Sequence, residues 1–133
     1  MKGNLTLVKI GLVLATLAGL SYGITLLLTP GIFVTISGSE PVEPAWVRWA
    51  GGSLIAVSIG ALMVLRHLAG QDLYVKMLIL YNAMTALGHL ISLIVDDFSG
   101  AIWIVILPMI LTIAIAVILW LGRQQAIDVL QAK

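Results

Sequence analysis

Apolar residues in this chain gather in four long runs divided by short, punctuated breaks. The first run extends from about Ile10 to Leu28 and stops at Thr29-Pro30-Gly31. The second, from about Ala45 to Leu65, ends at Arg66-His67, and the third, from about Leu73 to Val95, ends at Asp96-Asp97. The fourth, from about Ala101 to Leu121, ends at Gly122-Arg123. A helix needs roughly 20 apolar residues to cross hydrocarbon, and Gly, Pro and clustered charge are what terminate one. The pattern therefore predicts an all-α fold: a bundle of four transmembrane helices in a single integral membrane domain spanning residues 1–133. Lys2 and Lys9 give the first run the basic start of a signal peptide. Its apolar stretch is too long for a signal core, and no small-x-small cleavage site follows, so a retained helix is expected.

Composition strengthens this reading. Of the 133 residues, 61% are hydrophobic and only 10% charged, where a soluble domain has about a quarter charged. A short water-soluble fold cannot hide that much apolar surface. A net charge of +1 offers no basic face to nucleic acid. The absence of cysteine excludes disulfides, thiolate metal sites and cysteine catalysis.

The basic residues also predict orientation, because cytoplasmic loops collect Lys and Arg. With both termini in the cytoplasm, Lys2, Lys9, Arg66, Lys76, Arg123 and Lys133 lie inside and only Arg48 lies outside. Trp46, Trp49 and Trp103 then fall near the outer interface and Trp120 near the inner one. The expected location is the plasma (inner) membrane, crossed several times, with membrane lipid as the immediate partner.

The breaks at 66–72 and 96–100 are short, which predicts antiparallel neighbours on either side of each. The first connection is longer and carries an apolar stretch, Gly31 to Ser37. It reads either as a short segment lying in the outer interface or as an apolar loop packed over the end of the bundle. The tail "GRQQAIDVLQAK" reads as a continuation of the fourth helix or as an amphipathic segment on the membrane surface, and Asp72 as a cap on the third helix.

Small residues allow membrane helices to approach closely. Gly11, Ala15, Gly19 and Gly23 recur every four residues in the first run, as do Gly52, Ala56 and Gly60 in the second. Pressing these two stripes together inside one bundle is the simplest arrangement; a seam for a homo-oligomer or a larger membrane complex is the other. Pro108 removes a backbone hydrogen bond from the fourth run.

The third run carries candidate chemistry. Asn82, Thr85, His89, Ser92 and Asp96 are spaced by 3, 4, 3 and 4 residues, which keeps them on one helical face. Polar groups in hydrocarbon are costly without partners, so this face should point into the protein. It could form a polar pocket for a quinone or a lipid head group, a proton path, or interhelical hydrogen bonds that fix the rotation of the helix. A metal site is not expected, because the other histidine, His67, lies most of a span away. Arg48, between Trp46 and Trp49, is expected to pair with Asp96 or Asp97 across the outer ends of the second and third helices. No phosphate loop, HExxH motif or nucleophile–base spacing is present, nor are paired carboxylates within the spans. No catalytic residue is therefore assigned, and the chain reads as more consistent with a non-enzymatic role.

The stretch "VRWAGGSLIAVSIGALMVLR", residues 47–66, has a basic residue, paired glycines and then a small-residue helix. With the four-span layout, it resembles the DoxX-like group of small four-helix integral membrane proteins. Some of that group are linked to quinone-associated redox complexes, which would imply a quinone- or lipid-binding role; the resemblance supplies no catalytic residue. The leading functional expectation is an accessory subunit or homo-oligomer that packs through its glycine faces, and the alternative is ligand binding on the Asn82–His89 face.

Overall fold

A computed structural model describes residues 4–38, 43–95 and 101–132. The elements in order are α1 (Thr6–Leu28), α2 (Pro30–Ser37), α3 (Pro44–Arg66), α4 (Asp72–Val95) and α5 (Trp103–Leu130). Four of these, α1, α3, α4 and α5, are long and apolar enough to cross a membrane, and the described residues contain no strand. Large apolar side chains cover their outward faces; Leu28, Met63 and Ile94 are 69%, 66% and 75% exposed. In water such a surface would be prohibitive, whereas in hydrocarbon it costs nothing. The chain thus has the build of a multi-pass membrane protein.

Local chemistry explains the helix ends. The Asn4 side chain accepts a hydrogen bond from the Thr6 amide at 3.0 Å, capping α1. Pro30 and Pro44 occupy the first turns of α2 and α3, where their missing N–H groups are not needed. Gly38 ends α2 in the left-handed region, at φ 62°. The expected boundaries hold within a few residues except at the end of α5, which runs on to Leu130. Gly122 does not stop it, because the helix packs there directly on the α1 backbone at Leu7 and Val8. Beyond that crossing, Ala126 and Leu130 are fully buried in the same core as Leu68. Core burial therefore carries the tail onward as helix.

The packing order differs from the chain order. α1 lies against both α3 and α5, α5 also holds α4, and α3 and α4 barely meet. The short connection at 67–71 thus joins two helices that are not packed neighbours along their length. Besides the shared core at that end, they are joined by Tyr74 of α4, whose hydroxyl donates to the Val57 carbonyl at 3.0 Å and whose ring lies over Gly60.

The glycine stripes behave differently from one another. Gly19 and Gly23 of α1 do meet α3: a Cβ at Gly23 would fall 2.9 Å from the Gly51 carbonyl, and one at Gly19 would collide with Ser58. Gly11, however, faces Leu119 of α5, and Ala15 lines a cavity. On α3 the surface pressed against α1 is Gly51, Ile55 and Ser58, one residue out of phase with the expected Gly52, Ala56 and Gly60. Nothing lies within 4 Å of a Cβ at Gly52, Ala56 is exposed, and Gly60 receives Tyr74. The reason is steric. A Cβ at Gly51 would stand 2.7 Å from both the Gly23 carbonyl and the Leu27 amide, so this position, rather than its neighbour, must be glycine for the backbones to touch.

The core gathers at one end, where Val8, Leu12, Val64, Leu68, Val75, Leu119 and Leu130 pack together. The beginnings of α1 and α4 and the ends of α3 and α5 share this end. An ion network closes it: Asp72 accepts from Arg123 Nε at 2.6 Å, Arg123 Nη2 at 3.1 Å and Gln131 Nε2 at 3.2 Å, and pairs with Lys76 at 2.8 Å. The carboxylate expected to cap α4 instead turns across to α5, because the bidentate guanidinium is the stronger partner. At the other end α2 crosses the top of the bundle, held to the start of α5 by the Ala101 amide donating to the Ser37 carbonyl at 2.8 Å.

Candidate functional site: a cavity between the helix pairs

Because α3 and α4 stay apart, the bundle encloses a space between the α1–α3 pair and the α4–α5 pair. This cavity measures about 440 Å³, within the range of pockets that take drug-sized ligands. Its walls are mainly apolar, from Ala18 and Leu26 of α1, Leu54 and Val57 of α3, and Leu78 and Ile115 of α4 and α5. Phe33 of α2 and Trp49 of α3 line its upper end, and Pro108 lines the α5 side. Pro108 cannot donate to the carbonyl of Ile104, which lines the same wall.

Three of the five polar residues singled out on the third run reach this cavity, Asn82, Thr85 and His89, and Asp96 lies outside the described residues. Ser92 is half-buried and is not part of the lining. Asn82 is 5% exposed, Thr85 and His89 are half-buried, and Tyr81 joins them. The facing wall adds Tyr22, Ser53 and Ser58, and α5 adds Thr112.

The hydrogen bonds of this face stay within α4 rather than tying it to a neighbouring helix. The Asn82 amide donates to its own helix, at the Leu78 carbonyl 2.8 Å away, and the Thr85 hydroxyl donates to the Tyr81 carbonyl at 2.8 Å. His89 makes no hydrogen bond to another described residue, and no group of metal-binding side chains occurs among the described residues. The polar face is thus turned into open space, with its orientation set by α4 packing on α5.

Arg48 is exposed and forms no ion pair with a described residue; its expected partners Asp96 and Asp97 lie outside the described residues. The ion pair that does form, Asp72 with Arg123, joins residues 51 apart at the opposite end. Clustered charge flanking the third and fourth runs was the available signal for it, but nothing in the spacing matched the two residues.

No family model, no curated protein and no solved structure matches this chain.

Proposed function

We propose that this protein binds a small membrane-dissolved amphiphile, a lipid or a quinone-type ring, in the cavity between the helix pairs. One observation carries the reading: the polar face of α4 lines a largely apolar cavity of about 440 Å³. Asn82, Thr85 and His89 offer the polar contacts, and the aliphatic and aromatic walls take the rest of the molecule. The gap between α3 and α4 gives access from the side, so a tail can remain in the bilayer. The distribution of Lys and Arg supports an orientation with both termini cytoplasmic and this end in the outer leaflet of the plasma membrane. The DoxX-like resemblance of the sequence points toward the same ligand class. Native mass spectrometry from gentle detergent tests the reading: a bound small molecule is expected on the wild type and not on Thr85→Phe, which fills the space. A wild type with no adduct, even after addition of lipid and quinone, refutes it.

A second reading, a homo-oligomer or an accessory chain of a larger membrane complex, is favoured by the open face at Gly52 and Ala56. Small residues left bare on a membrane helix permit close approach by another helix. In this reading Gly52→Leu yields a folded monomer where the wild type migrates as an assembly.

A further inference from the structure

The hydroxyl groups around the cavity share a feature that narrows the ligand. Each carries a single proton, and each donates it to a carbonyl of its own helix. Ser53 donates to Trp49 at 3.0 Å, Ser58 to Leu54 at 2.7 Å, Thr85 to Tyr81 at 2.8 Å and Thr112 to Pro108 at 2.9 Å. This back-bonding is how Ser and Thr settle inside a helix. It leaves these oxygens with lone pairs alone; that of Ser58 is packed against Gly19, so Ser53, Thr85 and Thr112 are the ones that offer them to the cavity. Asn82 has likewise committed one amide proton to Leu78 and keeps its carbonyl oxygen as an acceptor. The donors that remain are one N–H of Asn82, the Trp49 indole and a His89 nitrogen, while the hydroxyls of Tyr22 and Tyr81 serve either way. Among the described residues, the lining contains no Asp, Glu, Lys or Arg.

We infer that the ligand is an uncharged amphiphile whose head carries its own O–H group, a lipid alcohol or a phenol, rather than an ester, ketone, carboxylate or amine. A hydroxyl both donates and accepts, so it can give its one proton to an acceptor oxygen of Ser53, Thr85 or Thr112 while taking hydrogen bonds from the remaining donors. A ketone, ether or ester only accepts and leaves that set of lone pairs unanswered. A carboxylate or ammonium would enter low-dielectric surroundings with no opposite charge in the lining, which is far costlier than leaving it in water. The inference rests on the amphiphile-binding reading and specifies the head group within it, a lipid alcohol or a reduced, phenolic quinol rather than an oxidised quinone.

Matched probes decide it. Native mass spectrometry of the full chain would be run with dodecylphenol and with its methyl ether, which differ only in the O–H. Dodecanoate and dodecylammonium complete the set. Occupancy by the phenol is expected to exceed that by the ether about tenfold, the worth of one net hydrogen bond at the upper end. Thr85→Val and Thr112→Val, each removing an acceptor oxygen with little change of shape, should lower phenol binding and leave ether binding unchanged. Equal or stronger binding of the ether, or preferred binding of either charged probe, overturns the head-group assignment while the amphiphile reading survives. Binding of none of the four overturns both.

Discussion

At the residue scale, adjacent glycines in α3 have opposite duties. Gly51 is buried against the backbone of α1, and Gly52 faces open space. Gly51→Leu should therefore destabilise the bundle by about 3 kcal/mol, the upper range for overpacking a tight contact. Gly52→Leu should change stability by no more than about 0.5 kcal/mol. Thermal unfolding in detergent, followed by circular dichroism, reads both; equal effects would contradict the packing described. The four-residue spacing was legible in the sequence, but its phase on α3 was not. Gly51 and Gly52 are chemically identical, and only the fit of Gly51 between Gly23 and Leu27 distinguishes them. Gly60 belongs to the same mis-phased stripe, yet its reason for being glycine is the Tyr74 ring. Gly60→Ala should push that ring away and break the bond to Val57, at about 1 kcal/mol for an interhelical hydrogen bond in a membrane protein.

At the scale of elements, the spans were readable because hydropathy runs report burial in lipid directly. The continuation of α5 to Leu130 was not settled, since Ala126 and Leu130 become core residues only when Leu68 and α1 are brought beside them. The face of α4 bearing Asn82, Thr85 and His89 was readable from helical periodicity alone, because polar side chains at that spacing must share a side. What periodicity could not supply was the gap they face, which depends on α3 leaving α4 for α1. The clasp of α4 to α5 offers a test of its own. Asp72 and Arg123 side chains are 12% and 13% exposed, and removing one strands the other. Asp72→Asn or Arg123→Met should each cost about 3 kcal/mol. The double variant should cost clearly less than the two single effects added together. Additive losses in a double-mutant cycle would show that the pair does not act as a unit.

At the scale of the whole molecule, the cavity and its side opening make an accessibility prediction. The chain has no cysteine, so a single one at Thr85→Cys reports on the cavity cleanly. In lipid nanodiscs, small uncharged maleimides should label it, charged ones should not, and a bound amphiphile should slow the labelling. Rapid reaction with a charged reagent would mean the space is an aqueous vestibule.

The lopsided placement of the core has a mechanical consequence. The two helix pairs are like the covers of a book whose spine is the α1–α5 contact at Gly11 and Gly122, while Asp72 with Arg123 binds the two helices of one cover to each other. Near the spine the side chains interlock; away from it the covers are spaced by little more than Tyr74 and the α2 strap. Separating the two covers would therefore break few side-chain contacts at the free edges and many at the bound one.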